Sequence, residues 1–330
     1  MSKVKSKSLY DYKLIENLRN NCMNLISPSD LNQLINSSDE IAVIDVREQG
    51  EFGKEHILLC ANIPLSHLEM KVPVLVPRKG TQIVICDFEG ELSSRAFDVL
   101  ISYGYTNISA LRGGVKAWKG EKFEVFSGIN VPSKAFGEFV EHTYKTPSIS
   151  AKELKDMMDK KQDFIVLDSR PMDEYKVMNI PTGIDMPGAE LVYRVEDAPI
   201  TKDTIIVVNC AGRTRSIIGA QTLINAEVKN KVVALRNGTQ GWHLAGYKLE
   251  HGADRSVTEV TNRGHSVALK RAKSAAKKFG VKFINSETLD QWREQQGERT
   301  LAVLEVRTRE EFETAHIADS RHAPGGQLVQ

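Results

Sequence analysis

An apolar run that ends on a cysteine and breaks into a loop with two arginines is a setting for a reactive sulfur. Residues 204–216 read TIIVVNCAGRTRS. Ile205, Ile206, Val207 and Val208 read as a strand buried on both faces, and the segment SIIGAQTLI from Ser216 onward carries apolar residues at helical spacing. Cys210 therefore sits at a strand-to-helix corner, where the free N–H groups of a loop and a helix start favour negative charge. Arg213 and Arg215 bring two guanidinium groups to the same loop, so the surroundings favour the thiolate, the nucleophilic form of cysteine. The other reading of Cys210 is a small hydrophobe packed at a strand end. Two arginines and Gly212 in one short loop favour the reactive one.

The rest of the chain must position that corner. Its 330 residues are 41% hydrophobic and 26% charged, ordinary for a globular protein with several separate cores. A net charge of +1 argues against nucleic acid as the main partner, and the local run Lys270, Arg271, Lys273, Lys277 and Lys278 reads as a solvated helix face. The N-terminus has no apolar core of signal-peptide length, and no stretch approaches the roughly 18 apolar residues of a membrane span. A cytoplasmic protein with no membrane partner is expected. Cys22, Cys60, Cys86 and Cys210 are too scattered for a disulfide framework or a paired zinc site, so no metal is expected, and a reducing compartment keeps Cys210 usable. Cys22, Cys60 and Cys86 read as structural.

The chain repeats itself. IAVIDVREQGEFG at 41–53 lies under FIVLDSRPMDEYK at 164–176, pairing Asp45 with Asp168, Arg47 with Arg170 and Phe52 with Tyr175, and the same offset carries Pro64 onto Pro187 and Thr81 onto Thr204. With one added residue, LRGGVKAW at 111–118 falls on LRNGTQGW at 235–242. A third copy begins in LAVLEVRTREEFETAHI, with Glu305 in the aspartate position and Arg307 in the arginine position, and does not reach a cysteine loop before Gln330. The period is too long for a solenoid unit, so these are whole domains in tandem.

Each full copy opens with an amphipathic helix pattern, SPSDLNQLI or SISAKELKDMM, and then alternates short apolar runs with helical patterns. That predicts an α/β fold with parallel strands, helices on both faces of the sheet, and the reactive corner at the carboxyl ends of the strands, where such sheets bind ligands. The expected divisions are an N-terminal helical segment at 1–24, a first domain at 25–128, a linker at 129–147, a second domain at 148–252, a basic helical linker at 253–283 and a partial third domain at 284–330. The third copy lacks its later strands and is expected to be poorly packed or docked on a neighbour.

The second copy carries a cysteine loop, Cys210-Ala-Gly-Arg-Thr-Arg215-Ser216, a first motif, Asp168-Ser-Arg170 with Glu174 and Tyr175, and a terminal motif, Asn237-Gly238 with Gly241-Trp242. These blocks, in order and repeated, resemble the rhodanese (sulfurtransferase) family, and the tandem arrangement resembles multi-domain members with more than two modules. The resemblance implies a small parallel sheet flanked by helices, and a loop cysteine that cycles through a persulfide.

The residues point the same way. Moving a sulfane sulfur needs a nucleophile whose product with sulfur can be attacked again, which a thiolate provides. The loop of Ala211, Gly212, Arg213, Thr214, Arg215 and Ser216 offers N–H groups and two cations to an anionic donor such as thiosulfate. Sulfur would pass from a Cys210 persulfide to cyanide or a thiol, a protein acceptor included, with no organic cofactor. Gly212 lets the backbone approach the ligand, and Ser216 reads as a helix-capping or loop-bracing hydroxyl. Asp168 and Arg170 have counterparts in the first copy, so they read as a structural brace with a contribution to the loop as the alternative. In that copy the offset carries Cys210 onto Asp87, so the site is expected to be inactive, while Cys86 aligns with Asn209 and points to the other face. A cysteine phosphatase or arsenate reductase is the enzymatic rival, but a phosphatase needs Cys-x5-Arg, and Arg215 follows Cys210 one residue sooner. A sulfur-carrier or scaffold module is the non-catalytic rival.

Overall fold

The computed structural model describes residues 23–257 and 259–328, in two compact units. Cys22 and most of the expected N-terminal helical segment lie outside the described residues. In the first unit β1 (Asn24–Ile26), β2 (Ile41–Asp45), β3 (Ala61–Asn62), β4 (Gln82–Cys86) and β5 (Ile108–Leu111) form a parallel sheet in the order β1-β5-β4-β2-β3. Alternation along the strands builds two cores. Ile44, Ile83 and Ile85 pack with Leu68 and Leu100 on one face, and Val43, Val84 and Cys86 with Leu31 and Trp118 on the other. Both faces are therefore covered, which is why the strands read as unbroken apolar runs. The helices α1 (Pro28–Ile35), α2 (Ser93–Ser102) and α3 (Gly114–Gly120) supply that cover. The first of them starts where Ser27 Oγ accepts from Asp30 N–H at 3.1 Å and proline takes the first helical position.

The second unit repeats the plan. β6 (Ser148–Ile149), β7 (Phe164–Asp168), β8 (Ile184–Asp185), β9 (Ile205–Asn209) and β10 (Val232–Leu235) are parallel in the order β6-β10-β9-β7-β8. Its helices are α4 (Val131–Tyr144), α5 (Ala151–Asp159), α6 (Met172–Val177), α7 (Leu191–Arg194), α8 (Thr214–Asn225), α9 (Gly238–Leu244) and α10 (Asn262–Lys278). Two stretches expected as linkers belong to this body. α4 places Val140 in the core with Val208 and Ile217, because its sequence has an apolar face that a linker reading of 129–147 overlooked. α10 is held by an Arg271–Glu196 ion pair at 3.0 Å and buries Gly264 and Ala268, so part of its basic face is paired rather than solvated.

The stretch read as a third copy is thin. Residues 286–301 group with the first unit and 302–330 with the second. β11 (Leu304–Glu305) and β12 (Arg321–His322) make a two-stranded parallel sheet, and the helices Ser286–Glu294 and Arg309–Thr314 bury none of their residues. Two strands cannot enclose a core.

The loop after β9 is fixed by the start of α9. Thr239 and Gln240 N–H donate to the carbonyls of Cys210 and Ala211 at 2.8 and 2.9 Å. Only a glycine permits this approach: Gly238 has φ +51°, and a Cβ on it would stand 2.3 Å from the Cys210 oxygen and 2.6 Å from that of Gly212. The first unit repeats the device at Gly114, φ +60°, 2.4 Å from the Asp87 oxygen. Gly212 is different, since a Cβ there meets only Gln240 Oε1 at 3.6 Å. Gly238→Ala should therefore lower the unfolding free energy by about 2–4 kcal/mol in denaturant titration, through backbone strain and overpacking. Gly212→Ala should cost less than about 1 kcal/mol, and equal losses would mean that the close approach at 238 is not what demands glycine.

Candidate functional site

Cys210 follows the last residue of β9 and is 2% exposed. Ser216 Oγ donates to its Sγ at 3.0 Å. Of the two roles expected for that hydroxyl, capping a helix or bracing the loop, it takes the second: α8 begins at Thr214, its capping position is Arg213, and no side chain caps it. The loop carbonyls of Cys210 and Ala211 are bound to α9, and the first N–H groups of α8 have no partner within their own helix.

The arginines part company. Arg213, expected beside the thiol, turns to α4, where its Nη2 donates to Glu138 Oε2 at 3.0 Å and also pairs with Glu141. The reason is two carboxylates one helical turn apart in a segment far from the loop in sequence. Thr214 faces α4 as well, with its Cγ2 only 2.9 Å from where a Cβ on Gly137 would lie. Arg215 stays at the site: its guanidinium meets Glu174 in a two-pronged pair at 2.9 and 2.8 Å, and that hydrogen bonding holds the guanidinium above its usual range. That pair holds the Glu174 carboxyl below the usual carboxylate range. Beside Arg215 and Ser169 a mostly apolar cavity of about 240 Å³ opens between α7 and α8, a feature without a sequence motif.

Asp168 and Arg170 form a buried pair, with Nε to Oδ1 and Nη2 to Oδ2 both at 2.8 Å, and Nη2 also reaches the Met178 carbonyl at 2.8 Å. Asn209, the residue before the cysteine, donates Nδ2 to Asp168 Oδ2 at 2.7 Å and to Thr239 Oγ1 at 3.0 Å. Asn209 thus links the pair to Thr239 at the start of α9. Sequence reasoning missed Asn209 and Thr239. A signal was present, because these are places where the copies differ: Cys86 stands for Asn209 and Val115 for Thr239.

The first unit shows what the same loop does without a thiol. Register fixes the equivalence, since Asp45 pairs with Cys86 as Asp168 pairs with Asn209, so Asp87 occupies the Cys210 position. Its carboxylate accepts from Leu92 N–H at 2.6 Å, Ser93 N–H at 2.9 Å, Ser93 Oγ at 3.2 Å and Gly90 N–H. The loop is a cradle for an anion, filled by its own side chain. Around it Glu51, Glu89 and Glu91 line a cavity of about 370 Å³. Cys86 is wholly buried in the core on the Trp118 face. Cys60 lies beside it, its thiol pushed well up by burial and then by Cys86. Among the described residues no group of three or more His, Cys, Asp or Glu side chains is placed to hold a metal.

The comparisons agree with this geometry. The model of the rhodanese-like domain matches residues 27–121 and again 150–245. A crystal structure of a thiosulfate sulfurtransferase from Pseudomonas aeruginosa is 43% identical, with a TM-score of 0.90 over 93% of this chain and 58% of that one. Thiosulfate sulfurtransferase PspE of Escherichia coli (strain K12) is 32% identical over 73 residues, covering 22% of this chain and 69% of its own. An uncharacterized protein of Synechocystis sp., slr1261, is 34% identical over 32% of this chain and 58% of its own. The chain thus spans less than two thirds of the Pseudomonas and Synechocystis proteins. With two full domain matches, two equivalent sheets and the cysteine loop in its place, the chain belongs to the rhodanese-like domain family.

Proposed function

We propose that this chain is a thiosulfate sulfurtransferase that carries a sulfane sulfur on Cys210 and passes it to cyanide or a thiol. The observation that carries the reading is the Asp87 loop: a backbone cradle of this shape holds an anion, and in the second unit its central residue is a cysteine under a serine hydroxyl. The Cys210 thiolate attacks the outer sulfur of thiosulfate, the S–S bond breaks, and its electron pair leaves with sulfite. The persulfide anion then occupies the place that the Asp87 carboxylate takes in the first unit, with Ser216 Oγ and the first amides of α8 as donors. Cyanide or a thiolate attacks the outer sulfur, forming thiocyanate or a new persulfide, and the Cys210 thiolate is restored. Arg215 is the loop cation that stays at the site, and Arg213 serves to fasten the loop to α4. Among the described residues no helix is long and apolar enough to cross a membrane.

Thiosulfate:cyanide transfer by the purified chain tests the reading. Cys210→Ser should abolish turnover, and Ser216→Ala should lower kcat about tenfold, the worth of one hydrogen bond to a charged sulfur. A persulfide found by mass on Cys210 without turnover would favour the carrier reading instead. Asp87→Ala should leave transfer within twofold of the parent, yet lower the stability of the first unit by about 1–3 kcal/mol, because buried amides lose their acceptor. A tenfold drop in transfer with that variant would give the first unit a part in the chemistry.

A further inference from the structure

β8 sets Asp185 opposite Asp168 of β7, and in the first unit β3 sets Asn62 opposite Asp45 of β2. The two positions are equivalent in register and in sequence. Asn62 has an evident structural role, since its Nδ2 donates to the Arg47 carbonyl at 2.8 Å and to the Asp45 carbonyl at 3.3 Å, lacing the turn that holds the first ion pair. Asp185 is just as enclosed, at 4% exposure, and its Oδ1 is buried with no hydrogen-bond partner among the described residues. An ionised carboxylate has no proton to offer a carbonyl, and an unpaired buried charge is costly. A neutral carboxyl has one donor and can make the bond that the amide makes.

We propose that Asp185 is a positioning residue that works as a neutral carboxylic acid, donating a hydrogen bond to the Arg170 carbonyl and bracing the turn on which Asn209 and Cys210 rest. The surroundings favour that form. Asp168 on β7 lies across from it as an anion, while Arg170 after β7, Lys176 on α6 and Arg194 on α7 oppose the effect from further off. Arg255, whose carbonyl accepts from Asp185 N–H at 2.8 Å, has its guanidinium engaged with Glu250, and the Tyr175 hydroxyl is bonded to the Gly183 carbonyl. Burial and then Asp168 push the Asp185 carboxyl up to about 7. Between about pH 4, where an unfolded aspartate ionises, and 7, the folded chain keeps a proton that the unfolded chain has lost. Stability from this group therefore falls as pH rises through that interval, and the brace is released above it.

The activity arm of the test rests on the Cys210 reading; the unfolding arm does not. Thermal unfolding midpoints and kcat/KM for thiosulfate should be followed from pH 5.5 to 9 in the parent chain, Asp185→Asn and Asp185→Ala. The amide variant should match the parent within twofold at pH 6 and exceed it threefold or more above pH 8. Its midpoint should rise relative to the parent over the same interval. Asp185→Ala should be weaker at every pH, and if it fails to fold, carbon-13 NMR of the parent's aspartate carboxyls should still find one titrating near neutrality. A ratio of amide variant to parent that is flat with pH in both readouts, or no carboxyl titrating above pH 5, overturns the proposal. Loss of thiosulfate turnover in the parent with the pH-dependent midpoint difference intact would overturn the functional reading and support Asp185.

Discussion

The ion pair after the second strand of each sheet is what the rest of the site hangs on. Asp168 takes two bonds from the Arg170 guanidinium and one from its backbone N–H at 3.2 Å, so two residues close a turn on themselves before any tertiary contact forms. The first unit makes the same closure with Asp45 and Arg47, and Glu305 and Arg307 make it again where little covers them. There the Glu305 carboxyl is held down to about 2, chiefly by Arg307. The spacing builds the turn, and burial then makes it rigid. Removing one partner from a pair buried as Asp168 and Arg170 are leaves a bare charge in the core, a loss of about 3–5 kcal/mol.

On that common base the two units diverge by a small coupled set of residues. In the second, Asn209 links the ion pair to Thr239 and so ties β7, β9 and the start of α9 together next to the sulfur. In the first, Cys86 and Val115 stand at those positions; Cys86 joins the apolar core on the Trp118 face, and Val115 is buried. The polar link is present only in the unit whose loop carries the cysteine. Asp87 holds its own loop by accepting four bonds, so the first unit keeps an ordered loop without that link.

What could be read from the sequence follows from how local each interaction is. The strands, their parallel direction and the gapless correspondence of Asp87 with Cys210 were legible because alternation and repeat offset are properties of the chain itself. The face of Cys86 was legible for the same reason. The partner of Arg213 was not, since Glu138 and Glu141 reach it from a helix in a segment that composition marks as a linker. Nor was the bond from Ser216 to the sulfur, because whether a serine caps a helix or faces inward depends on where the helix starts, and α8 starts two residues earlier. The need for glycine at 238 was visible only as a repeated letter; its cause is a carbonyl brought within contact by the sheet.

The arrangement of acids around the two arginines bears on how an anion enters. Arg215 is largely covered while its partner Glu174 is 44% exposed on the side chain, so their pair is open to solvent at the carboxylate end. A dianion that draws Arg215 from Glu174 meets a cation already held in place, whereas an empty loop keeps its guanidinium paired rather than facing the core alone. The division fastens one arginine to α4 and keeps the other at the loop, which suits the donor-then-acceptor cycle proposed for the site.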